Sequence, residues 1–146
     1  MKGIATLFLG LCVLAGSTNT VLANTTAEVD QQIESLLGDH QAYHDFLNAL
    51  QHAVASNDKA AVASLVEYPI TINKKKITTS SAFIKNYDNI LNSNVKKAIA
   101  NQKYEDLFVR DQGIMIGDGQ VWASGICQDS DQACQNAPVK ITAINH

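Results

Sequence analysis

The dipeptide Asp118-Gly119 stands between two apolar runs and constrains the fold of this chain more than any other feature. Asp-Gly flanked by β-type residues is a strong signal for a two-residue type I′ hairpin turn, because both central positions must take positive φ. The turn predicts the pairs Gly117–Gln120, Ile116–Val121, Met115–Trp122 and Ile114–Ala123. Strands are expected over Leu107–Ile116 and Gln120–Cys127, with Gly113 marking a bulge. Ile114, Ile116, Val121 and Ala123 then share one face, and Met115 and Trp122 the other. Both faces are apolar near the turn, so both are expected to be covered. Val139–Ile144 alternates with period two and closes the sheet.

Upstream, the period is helical. Residues 24–30 are polar and expected to fray. Val29, Ile33, Leu36 and Leu37 mark a helix over Ala27–Leu37. Asp39 is an N-cap for a second helix, His40–Ser56, with Tyr43, Leu47, Leu50 and Val54 on one face. Asp58 caps a short helix over Lys59–Val66. Tyr68–Asn73 switches to period two, Lys74-Lys75-Lys76 is expected as a turn, and Ile77–Thr79 as a returning strand. A helix capped by Ser80 or Ser81 runs to Leu91, with Phe83, Ile84, Tyr87, Ile90 and Leu91 at amphipathic spacing. Val95–Gln102 forms one more short helix. Helices, strands, helices and a mostly antiparallel meander make an α+β fold, with the helices on one face of the sheet.

The 146 residues suit a single domain, and 46% hydrophobic content suits a globular one. A net charge of −3 argues against nucleic acid as a partner, which requires a basic face. Lys2 followed by the apolar stretch Ile4–Ala15 and by Val21-Leu22-Ala23 reads as a signal peptide, residues 1–23, cleaved after Ala23. The apolar stretch is too short to span a bilayer, so no stable membrane insertion is expected. The mature chain divides into a polar segment with a short helix, 24–39, and a domain over 40–146. Its destination is the periplasm or the exterior. Cys12 leaves with the leader, and the remaining pair, Cys127 and Cys134, reads as a disulfide around a polar loop. That closure is worth about 2.5 kcal/mol by chain entropy.

The stretch from Phe46 to Leu50, through Asn57-Asp58-Lys59-Ala60-Ala61 to Leu65, resembles the opening of the NTF2-like superfamily. The resemblance implies a curved antiparallel sheet wrapped around a cone-shaped cavity. Tyr68-Pro69-Ile70, Phe83-Ile84 with Tyr87-Asp88, Leu107-Phe108-Val109 and above all Gln112–Trp122 resemble small exported proteins of Gram-negative bacteria that carry no assigned function. The resemblance also implies that such a sheet can serve as a homodimer interface. It brings no catalytic residue that can be matched here.

Candidate ligand-binding residues are Phe83, Tyr87, Met115 and Trp122, as aromatic and sulfur-bearing walls, and Arg110, Asp111 and His44 as polar groups. His40 and His44 have the i, i+4 spacing of a metal pair, but His40-Gln41-Ala42-Tyr43-His44 lacks the glutamate of a metalloprotease helix, so neither metal nor cofactor is expected. His40 borders the apolar face, His44 lies at its boundary and His52 faces water. No nucleophile elbow or phosphate loop is present. The first expectation is a non-enzymatic binding domain that holds a small ligand on the concave sheet face. The alternatives are an inhibitor or immunity protein for an envelope enzyme or toxin, and an isomerase, dehydratase or hydrolase that uses Asp111 or His44.

Overall fold

The computed structural model describes residues 24–127, 134 and 137–146. The leader read over 1–23 and the loop between the cysteines lie outside the described residues. Among the described residues, six α-helices accompany two antiparallel sheets of two and four strands, an α+β fold.

Helix α1 (Thr26–Leu36) is held at its start by a capping box: Glu28 N–H donates to Thr25 Oγ1, and Thr25 N–H donates to Glu28 Oε2 at 2.6 Å. The helix is therefore formed where fraying is expected, and Val29 and Ile33 are fully buried under it. Asp39 caps α2 (His40–Ala55), and Asp58 caps α3 (Lys59–Ser64). Strands β1 (Ile70–Ile72) and β2 (Lys75–Ile77) form a hairpin. Its turn is Asn73-Lys74, both at positive φ, so the lysine run begins in the turn and continues into β2. The expected helix ending at Leu91 is two short ones, α4 (Ser80–Lys85), capped by Thr79, and α5 (Tyr87–Ile90), divided at Asn86. Asn92 caps α6 (Ser93–Asn101). The Gln51 side chain of α2 donates to the carbonyls of Ile99 and Gln102 and so binds the end of α6 to α2. A 3-10 turn, Tyr104–Asp106, leads into the second sheet.

That sheet is a meander in the order β3 (Phe108–Arg110), β4 (Gly113–Ile116), β5 (Val121–Gly125), β6 (Val139–Ile144). Three of the expected pairs form, Ile116↔Val121, Met115↔Trp122 and Ile114↔Ala123, but the turn is not type I′: positive φ falls at Gly117 and Gly119 and not at Asp118, and Gly117 and Gln120 lie in the turn outside the strand pairing. The run Leu107–Ile116, however, is two strands, with Arg110 paired to Gly113 across a turn at Asp111-Gln112. Gly113 has φ +129°, and a Cβ there would run into the Ala123 carbonyl oxygen, so this glycine allows β4 to lie close on β5. The irregularity lies elsewhere: Trp122 pairs Ala143 and Ala123 pairs Ile141, which leaves Thr142 as the extra residue of β6.

Ile114, Ile116, Val121 and Ala123 are fully buried on the sheet face that packs with α1, α2 and α6. Burying each larger one contributes at most about 1.5–3 kcal/mol. The outer edge of β6 is covered: Ile141 N–H donates to Leu65 O, and Glu67 N–H to Ile141 O. The other face of the sheet is not covered by any described element. Phe108 is 48% exposed there, and Met115, Trp122 and Ala143 are half-buried, contrary to the expectation that both faces are closed.

Candidate binding face

Register and pleat together place one row across the open face. Phe108 is opposite Met115, Met115 opposite Trp122, and Trp122 opposite Ala143. Phe108 and Trp122 meet edge to face, with centroids 6.5 Å apart and planes at 89°. Beside this row lies a depression of about 380 Å³, lined by Met115, Trp122, the turn residues Asp118, Gly119 and Gln120, and Asn145 and His146.

The polar rim of this depression is pinned. Gln120 Oε1 accepts from Asp118 N–H at 2.6 Å, and Asn145 Nδ2 donates to Gly119 O at 2.8 Å. Asn145 N–H also donates to Gln120 O, which ties the end of β6 to the turn. His146 Nε2 lies 2.7 Å from Ile90 O, and its Nδ1 lies 2.7 Å from Asn73 Nδ2. Nε2 is therefore the protonated nitrogen and Nδ1 the acceptor. Both ring nitrogens are thus occupied, whereas Gln120 Nε2 and Asn145 Oδ1 have no protein partner among the described residues.

On the far side of the turn, a wider polar cleft of about 450 Å³ lies against α6. Gly117 N–H donates to Gln102 Oε1 at 2.7 Å across it. Lys97, Lys103, Asp106 and Asp118 line this cleft with exposed side chains, and no aromatic side chain lines it.

The other sequence candidates lie apart from the row. Phe83 and Tyr87 are fully buried in the core, 6.3 Å apart edge to face, away from Met115 and Trp122 on the open side. The Tyr87 hydroxyl is buried without a protein partner among the described residues. Arg110 and Asp111 are exposed at the β3–β4 turn. Arg110 alternates with Phe108 and projects from the same face, at the end away from Asp118.

His44 belongs to a different constellation. Its Nε2 is 3.0 Å from Asp30 Oδ1, the Tyr104 hydroxyl donates to that oxygen at 2.9 Å, and the two rings stack with centroids 3.4 Å apart. His40 Nδ1 pairs with Glu34 Oε1 at 2.7 Å one turn along. Desolvation pushes the Asp30 carboxyl up, but the hydrogen bonds from Tyr104 and His44 and the nearby His40 and His44 charges outweigh it and hold the group below the usual range. Burial, then the hydrogen bond to Asp30 and its charge, push the Tyr104 phenol up. The polar atoms are aimed at one another, so the cluster acts as a clamp of α1 onto α2 and the 3-10 turn. His40 and His44 are each about a quarter to a third exposed, and His52 faces water. Among the described residues, no three His, Cys, Asp or Glu side chains converge as a metal site would require.

The sequence reading did not single out Phe108, Gln120 and Asn145 at the face, or Asp30 and Tyr104 at the clamp. Phe108 was accessible to it, since its parity with Arg110 puts it on the Met115 face once β3 and β4 are separated. Comparison of the chain with protein-family models, with curated proteins and with solved structures finds no match.

Proposed function

We propose that this chain is an exported, non-enzymatic binding protein whose ligand surface is the open face of the four-stranded sheet. The row Phe108–Met115–Trp122 carries the reading. Large apolar side chains aligned across an uncovered sheet face cost solubility, and contiguous exposed apolar surface of this kind marks interaction sites. The adjoining depression, about 380 Å³, falls within the range of small-molecule sites and combines an apolar wall with a few placed polar groups. The opposite face is filled by its own core, which favours the open face as the ligand surface. The order of elements, helices then hairpin then helices then meander, supports an NTF2-like relationship as the architecture behind it. The Cys127–Cys134 disulfide is compatible with an extracytoplasmic location, and no described helix is long and apolar enough to cross a membrane.

The test is native mass spectrometry of the full-length gene product recovered from the periplasm. The expected result is a small co-purifying mass that Trp122→Ala abolishes. A ligand-free protein, or a mass retained by Trp122→Ala, would remove the open face as a ligand site. A homodimer or an envelope-protein complex in the same spectrum would move the face to a protein partner.

A further inference from the structure

We infer that the depression beside Trp122 takes a neutral saccharide, one pyranose ring stacked on the indole with its hydroxyls on the turn. The inference rests on the open face being the ligand surface and names the ligand class for it. A pyranose has a face of C–H groups and a rim of hydroxyls that each donate and accept. The depression offers the matching surfaces: Trp122 and Met115 as an apolar wall, and Asp118, Gln120 and Asn145 as a polar rim. Gln120 uses Oε1 on the turn and retains Nε2 as a donor. Asn145 uses Nδ2 on Gly119 and retains Oδ1 as an acceptor. Each side chain is therefore held by one bond with its complementary atom unused, so little rotamer freedom remains to be lost on binding. The Asp118 carboxylate adds an acceptor and disfavours an anionic ligand. An organic cation would want a second aromatic face, yet Phe108 meets Trp122 edge to face and does not line the depression.

Trp122 is the sole tryptophan of the chain, so excitation selective for tryptophan reads this site alone. The full mature protein is titrated with tri-N-acetylchitotriose, cellotriose and maltotriose, with choline as the cationic comparison. The expected result is a saturable change in Trp122 emission with at least one saccharide, half-complete below about 10 mM, the weak range expected of so small a contact. Gln120→Glu keeps an oxygen for Asp118 N–H but removes the free donor, and it should weaken binding at least tenfold. Its melting temperature, measured alongside, separates lost binding from lost fold. Asn145→Ala, which removes the free Oδ1 acceptor along with the bond to Gly119, supplies a second probe of the rim should Gln120→Glu fail to fold. No response to any saccharide, a response to choline alone, or wild-type saccharide binding by folded rim variants would overturn the inference. A co-purifying mass lost in Trp122→Ala, together with no saccharide response, would overturn the ligand class and leave the binding face standing.

Discussion

His44 Nε2 lies 3.0 Å from Asp30 Oδ1, and the two residues are fourteen positions apart, on α2 and α1. Tyr104 donates to the same oxygen, so one carboxylate ties the first helix to two other elements. These donors favour the ionised form, and the folded-state pKa of Asp30 is depressed. A depressed carboxylate contributes stability above its unfolded value, about 3.9, and that stability is lost as pH falls through the folded value.

Asp30→Asn should therefore destabilise the protein at pH 7 and make progressively less difference below about pH 4. Urea midpoints of both proteins at pH 7 and near pH 3 provide the check. An equal gap at both values would mean that the charge of Asp30 contributes nothing.

Tyr87 should tolerate loss of its hydroxyl. Among the described residues the group is buried without a protein partner, and burial pushes its pKa up, followed by the charges of Asp88 and Asp58. The ring, by contrast, is well used: Lys59 Nζ and Lys96 Nζ lie 5.2 and 5.1 Å from its centroid, and both bind Asp88. Tyr87→Phe keeps the ring and removes the orphaned hydroxyl. Stability should stay level or rise by about 1 kcal/mol. A fall of similar size in thermal or chemical denaturation would show that the hydroxyl has a buried partner, such as a water.

Local chemistry was legible where a short signal acts alone. Asp118-Gly119 set its strand register, Asp39 and Asp58 capped the helices they were expected to cap, and Cys127 and Cys134 paired. The capping box Thr25-Thr26-Ala27-Glu28 was also present as a signal, but the polar residues around it favoured fraying. The misses arise where tertiary packing decides. Phe83 and Leu91 share helical spacing, yet the helix breaks at Asn86. Gly113 carries no local label that distinguishes a bulge from a turn end pressed against β5. The site was less legible than the fold, because parity assigns Met115 and Trp122 to one face without saying whether anything covers it. The clamp joins residues 30, 44 and 104, and no periodicity links positions so far apart.

Gly113→Ala tests the close approach of β4 to β5. At φ +129° an alanine is strained, and its Cβ would collide with the Ala123 carbonyl, a backbone atom with little room to yield. A loss of about 2 kcal/mol or more is expected in denaturant unfolding. Gly38→Ala is the informative comparison. Its φ is +107°, but nothing lies within 4 Å of the added Cβ, so it carries the conformational cost without the collision. Equal losses in the two variants would remove the collision from the account.

The disulfide closes the gap between the last two strands. Cys127 follows β5, Cys134 precedes β6, and their Cα atoms lie 5.1 Å apart over a sequence separation of 7. At the same end of β5, Gly125 N–H donates to the Tyr43 hydroxyl at 3.0 Å and ties the sheet to α2. Cys127→Ser with Cys134→Ser should lower stability by about 2.5 kcal/mol, the closure entropy of so short a loop. The fold should survive, since the core residues Val121, Ala123, Ile141 and Ile144 are already paired and buried without it. Denaturation of the protein recovered from the periplasm with and without reductant gives the same comparison without mutation. Its intact mass should begin at Asn24 and fall two hydrogens short of the reduced form. Reactive thiols in the unreduced protein would sink the pairing. An unchanged midpoint on reduction would show that the bond contributes nothing to the stability of the β5–β6 pair.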